Sequence, residues 1–97
     1  MTKKTAKRND RLRNMIPCVP KPDMLVITRG IAARDDVAEI LEKVKNFNDF
    51  NPDNDPYQEH DFGSFKHKGI KIFWKIDNYN GHQGYNLVLT VMLASEY

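Results

Sequence analysis

The sequence predicts an α+β fold: a short N-terminal helix, then strand, helix and three strands, the strands forming one largely antiparallel four-stranded sheet packed on the long helix. Three stretches carry that prediction. Val37, Ile40, Leu41, Val44 and Phe47 recur at the spacing of one helix face, while Glu39, Glu42, Lys43 and Lys45 take the others. Ile70, Ile72, Trp74 and Ile76 alternate with Lys71, Phe73, Lys75 and Asp77, the period of a half-buried strand. Leu87 to Ala94 is apolar on both alternating sets, so it reads as a strand that is central or covered by the N-terminal segment.

The remaining elements follow in chain order. Residues 1–16 form a basic arm in which Leu12, Met15 and Ile16 give a short helix one apolar edge, too little to be stable without docking. Pro17, Pro20 and Pro22 exclude a continuing helix and predict an extended linker over 17–23, leaving 24–97 as a single α+β domain. Met24 to Thr28, apolar and β-branched, predicts a strand inside the sheet. Arg29-Gly30 breaks it, and Asp36 with Glu39 has the spacing of a capping box for the long helix. Phe62 to His67 and Ile70 to Asn78 flank Lys68-Gly69, a tight turn, and Asn80 to Gly84 connects to the last strand.

Composition narrows the function classes. No apolar run approaches the roughly 18 residues of a membrane span, and no signal-peptide core follows the basic N-terminus, so a cytoplasmic protein is expected. A lone Cys18 permits no internal disulfide and no thiolate metal cluster. The net charge of +2 is unevenly spread. Lys3, Lys4, Lys7, Arg8, Arg11 and Arg13 against Asp10 give residues 1–14 a charge of +5, which leaves −3 for the rest. Such an arm can hold phosphates by counterion release, or it can be a solvated tail.

The densest group of acids lies between the long helix and the strand-rich half, from Asn48 to Gly63. Asp53, Asp55, Glu59, His60 and Asp61 are hard ligand types. In an extended chain, however, Glu59 and Asp61 point one way and His60 the other, and the loop lacks the Gly and final Glu of an EF-hand. Turn chemistry explains most of it: Pro52 and Pro56 fix φ, and Asn51, Asp53, Asn54 and Asp55 close turns with their side chains. No metal and no cofactor is therefore expected.

No catalytic constellation stands out. Asp61, Asp77 and Lys75 can meet on adjacent strands as in a metal-dependent nuclease, but Lys75 and Asp77 suit a plain surface pair. Ser64 with His60 or His67 forms no nucleophile elbow. Phe65, Phe73 and Tyr79 interleaved with Lys66, Lys68, Lys71 and Lys75 can make a base-stacking sheet face, unless the N-terminal helix covers it.

Thr28 to Ala33, Asn51 to Pro56 running on to Glu59-His60-Asp61-Phe62-Gly63, Phe73 to Asp77 and Leu89 to Tyr97 occur in the order of a known set of blocks. Through them, most of residues 8–97 resembles an uncharacterised family of small bacterial proteins, one of the domain-of-unknown-function families. The chain departs from it at Tyr79 to Asn86, a shorter and more Gly-rich hairpin. The resemblance implies no reaction and no catalytic residues; it implies genes of alphaproteobacterial plasmids, phages and integrated elements, often near genes that counter host defences. The expected function is thus a non-enzymatic interaction protein of a mobile element. It would act on a host defence complex, in the anti-CRISPR or antirestriction manner, through protein contacts by Asp53, Asp55, Glu59, His60 and Asp61. The alternatives are a nucleic-acid-binding accessory protein using Lys3, Lys4, Lys7, Arg8, Arg11 and Arg13, and a metal-dependent hydrolase using the acidic loop.

Overall fold

The structure, a computed structural model, describes residues 2–97; Met1 and the side chains of Thr2, Lys3 and Gln83 lie outside the described residues, and with them the expected phosphate contact of Lys3. The elements run α1 (Thr2–Asn14), β1 (Met24–Ile27), α2 (Arg29–Ala32), α3 (Val37–Lys45), β2 (Phe62–His67), β3 (Ile70–Asn78) and β4 (Leu87–Leu93), with 3₁₀ turns at His82–Gly84 and Ala94–Glu96. None of these helices is long and apolar enough to cross a membrane.

The sheet has the order β1-β4-β3-β2. Antiparallel pairing joins β2 to β3 and β3 to β4, but β1 runs parallel to β4, so the sheet is mixed where a largely antiparallel one was expected. A parallel neighbour requires a crossover, and α2, α3, the acidic loop and the β2–β3 hairpin together supply it. The apolar run of β1 carries no information about direction. Nor is β1 interior: it is an edge strand, half-buried along its whole length. The interior strand with both faces covered is β4, where Leu87, Val88, Leu89, Val91 and Met92 are all buried.

One cluster of apolar side chains fills the space between the helices and one face of the sheet. Ile40, Leu41 and Val44 of α3 meet Ile72, Trp74 and Ile76 of β3 and Leu87, Leu89 and Val91 of β4, and Leu12 and Ile16 complete the cluster from the N-terminal side. The alternation expected for β3 holds from Ile72 onward; Ile70, at the turn, is 37% exposed. A helix as polar as α1 gains its stability from docking. Leu12 and, just past its end, Ile16, 1% and 3% exposed, do this at about 1.5–3 kcal/mol each.

Two local expectations change. Asp36 stands at the N-cap of α3, but no side-chain cap hydrogen bond forms. Its carboxylate turns instead to Arg34 and His67. Residues 17–23 are not extended. Cys18 N–H donates to Met15 O and Asp23 N–H to Pro20 O, and the segment is tied to the start of β4 by Asn86 N–H to Pro22 O and Leu87 N–H to the Asp23 carboxylate. The prolines remove donors there, and turns satisfy those that remain.

Candidate functional site

The acidic loop is knitted by its own side chains. Asn51 Oδ1 accepts from the N–H groups of Asp53 and Asn54, Asn54 Oδ1 accepts from Asn51 N–H, and Asn54 Nδ2 donates to Asp49 O at 2.7 Å. Asp55 is buried, and its carboxylate accepts from the N–H groups of Glu59 and His60. That cap holds two non-glycine residues in left-handed backbone, Gln58 at φ 54° and His60 at φ 53°. Conformations of this kind persist only where neighbouring contacts over-determine them.

Despite this kink, His60 turns away from Glu59 and Asp61, the arrangement expected of an extended chain. His60 stacks flat on Phe50, centroids 3.8 Å apart and planes within 4°. Its Nδ1 lies 2.9 Å from an oxygen of Asp10 on α1, and its Nε2 lies 3.6 Å from Asp55. A cleft of about 430 Å³ opens beside this group, between Ala6 and Lys7 of α1 and Phe50, Pro52 and Pro56 of the loop. Glu59 and Asp61 face elsewhere, into a second cleft of about 400 Å³ shared with Arg8, Asn9 and Asp77. Of the five loop residues singled out in the sequence, Asp55 and His60 are brought together, Glu59 and Asp61 form a separate pair, and Asp53 is exposed apart from both. Among the described residues, no group of three or more His, Cys, Asp and Glu is placed to hold a metal ion.

The partners that organise the site lie on α1, where the sequence showed only charge. Asn9, fully buried, donates from Nδ2 to Glu59 O at 2.9 Å. Arg13 is 4% exposed. Its Nη1 donates to Phe47 O at 2.8 Å and Val44 O at 2.9 Å, carbonyls at the end of α3, and Nη2 donates to Asp10 at 2.7 Å. The guanidinium carbon sits 4.8 Å from the Trp74 ring centre. A cation at a helix C-terminus interacts favourably with the helix dipole. Arg13 is thus committed to the interior. Arg8 bonds to Asn9 Oδ1 beside the second cleft. Lys4, Lys7 and Arg11, at i, i+3 and i+7, form the exposed basic stripe of α1.

A second polar cluster lies at the opposite end of α3. Asp36 accepts a forked pair of bonds from Arg34 at 2.8 and 2.9 Å, and His67 Nε2 is 3.1 Å away. The Arg34 contact holds the Asp36 carboxyl well below the usual carboxylate range, against the opposing effect of burial. His67 is 3% exposed, so the pair fastens β2 to α3 and is closed to a substrate. Ser64 and His67 point to opposite faces of β2, and Lys75 pairs with Asp77 at 3.0 Å on the solvent side of β3.

Residues 27–96 match the model of a family described as "Protein of unknown function (DUF3768)". No curated protein matches the chain, and no solved structure does.

Proposed function

The chain belongs to the DUF3768 family of unknown function, and on that footing we propose that it is a non-enzymatic interaction module whose loop 51–61 docks on a basic surface of a protein partner. The observation that carries the reading is the loop's construction. Side-chain caps and the Asp10–His60 and Asn9–Glu59 ties fix its backbone, while Tyr57 is left 72% exposed and Asp53 is exposed as well. A pre-organised loop loses little entropy on binding, and an accessible tyrosine is a common energetic anchor of protein interfaces. The groups best placed for acid–base work, Asp10, Asp55 and His60, bond to one another, to Arg13 and to the backbone.

The resemblance to genes of plasmids, phages and integrated elements makes a cytoplasmic host defence complex, of the kind that anti-CRISPR or antirestriction proteins block, the first partner to try. The test is an affinity pull-down from nuclease-treated bacterial lysate, run with the natural chain and with Asp53→Lys/Tyr57→Ala. A protein retained by the first and lost with the second supports the reading. Capture of bulk nucleic acid only, or identical retention by both, refutes it.

The second reading is nucleic-acid contact through α1, favoured by the exposed stripe of Lys4, Lys7 and Arg11. Deleting the arm would remove Leu12 and Ile16 from the core, so charge reversal at Lys4 and Lys7 is the clean perturbation. It should abolish salt-dependent oligonucleotide binding without changing the melting temperature.

A further inference from the structure

The buried cluster fills one face of the sheet; the other is buried along β4, at Val88 and Met92, and becomes exposed toward the β2–β3 turn, at Lys66 and Lys71. The buried cluster takes Ile72, Trp74 and Ile76 from β3 and Leu87, Leu89 and Val91 from β4. The pairing register places Phe62, Ser64 and Lys66 of β2, Lys71, Phe73, Lys75 and Asp77 of β3, and Val88, Thr90 and Met92 of β4 on the opposite face. Three aromatic rings pack there: Phe73 lies 5.3 Å from Phe62 and 5.5 Å from Tyr97, at interplanar angles of 66° and 76°. No ring of the three is stacked parallel on another, and Tyr97 is 76% exposed.

Charge surrounds these rings in an arrangement that folding does not favour. Lys66 and Lys71 are register partners on adjacent strands, so two like charges stand directly opposite each other on one face. Such pairs destabilise a sheet. Lys71 Nζ lies 5.6 Å from the Phe73 ring centre, and Lys75 follows two residues beyond Phe73 on the same face. The one carboxylate among these strand residues, Asp77, is paired with Lys75. The face therefore has aromatic rings at its centre and lysines on either side of Phe73 along β3, which suits a chain of stackable bases carrying one phosphate each.

We propose that the β2–β3 side of this face binds single-stranded nucleic acid, with bases stacking on Phe73 and Tyr97 and phosphates held by Lys66, Lys71 and Lys75. Phe73, Tyr97, Lys66 and Lys71 line neither of the two clefts beside the loop, and the basic stripe belongs to α1, which docks on the opposite layer. A like-charge pair that opposes folding is expected where an anion relieves it on binding. Duplex DNA is a poor fit, because its bases are already stacked and its edges are read by elements that enter a groove.

The test is fluorescence anisotropy with labelled twelve-nucleotide dT and rU strands and a duplex of the same length, at 50 and 200 mM salt. The natural chain should bind a single strand at least tenfold more tightly than the duplex. Lys66→Glu/Lys71→Glu should weaken binding more than tenfold and flatten the salt dependence. Tyr97→Ala should weaken it about tenfold, the value of one lost base stack. The lysine and tyrosine positions are at the surface, so a melting curve unchanged within about 2 °C confirms that each variant is folded. Binding unaffected by the sheet variants but lost on charge reversal at Lys4 and Lys7 overturns the proposal in favour of α1. Absence of binding by the natural chain at low salt also overturns it. So does a sedimentation shift from dimer to monomer in Lys66→Glu/Lys71→Glu without any change in oligonucleotide affinity, because the face would then belong to a second copy.

Discussion

Replacing Arg13 with alanine separates the two roles that its charge suggests. A surface phosphate contact can be removed with little effect on stability, within about 0.5 kcal/mol. The structure gives Arg13 a different role. Nη1 has two N–H groups and fills them with Val44 O and Phe47 O at 2.9 and 2.8 Å; Lys45 O, at 3.5 Å, is at the limit of bonding. Bonds from a charged donor contribute about 1.5–3 kcal/mol each; Val44 O would keep the Phe47 N–H at 3.3 Å, but Phe47 O would lose its bond from Arg13 and add a desolvation penalty. The cation–π contact with Trp74 adds about 1 kcal/mol. The ion pair with Asp10 adds less, because that carboxylate is 39% exposed. Since these contributions overlap, the expected loss is about 3–5 kcal/mol. With a urea m-value of about 1.5–2 kcal/mol/M for a domain of this size, the midpoint should fall by about 2 M. Arg13→Lys should recover less than half of the loss, because one ammonium cannot reproduce the fork that spans two carbonyls and a carboxylate. A midpoint shift under 0.5 M in Arg13→Ala, accompanied by weaker oligonucleotide binding, would refute the buried role and return Arg13 to the basic surface.

Two further perturbations test the packing. A Cβ on Gly63 would stand 2.4 Å from Trp74 Nε1 and 2.7 Å from Cε2, so Gly63→Ala should destabilise the fold by about 1–3 kcal/mol and alter the emission of the single tryptophan; an unchanged urea midpoint and spectrum would sink that account. Asp36 is held below its ordinary value of 3.8 when folded, so its contribution is present in full above about pH 4 and is lost as pH falls toward the folded value. Glu96, lowered by its bond from Thr28, acts in the same direction. Asp36→Asn should lower the urea midpoint at pH 7 and flatten, in part, the acid decline below pH 4; parallel pH profiles for the two proteins would show that the Arg34–Asp36–His67 cluster is not the source.

The elements that proved legible in the sequence are those whose burial has a period. The stripe from Val37 to Val44 reads as a helix because one face meets a sheet, and Ile72, Trp74 and Ile76 read as an inner face for the same reason. Strand direction has no such signature, because parallel and antiparallel ladders accept the same side chains, and so the parallel partnership of β1 with β4 could not be read. Parity without register misleads in a similar way: Phe65 falls on the covered side and Tyr79 in the hairpin against Tyr85, while Phe62 and Tyr97 join Phe73. The interior role of Arg13 was hidden because a run of basic residues says nothing about which of them face inward. A signal did exist in Asn9, Leu12 and Ile16, spaced i, i+3 and i+7, which place a polar amide on the buried edge of α1 where it needs a partner. The acidic loop is legible as turn chemistry, but its anchors at Asp10 and Asn9 lie about fifty positions earlier in the chain, beyond any local pattern.

The partnership of β1 with β4 also fixes the order in which the molecule can be assembled. Met24 pairs with Val88 and Ile27 with Val91, so the first strand has no neighbour until the last has been made. During synthesis β1 and its four apolar residues stay unpaired while α3, the loop and the β2–β3 hairpin emerge. Pairings so distant in sequence close large loops before they gain anything, which slows folding and leaves an open strand edge on the nascent chain. Once β4 arrives between β1 and β3, both sides of the sheet close around it, and any local unfolding that frees β4 releases β1 at the same moment. The two ends of the domain therefore share one cooperative unit.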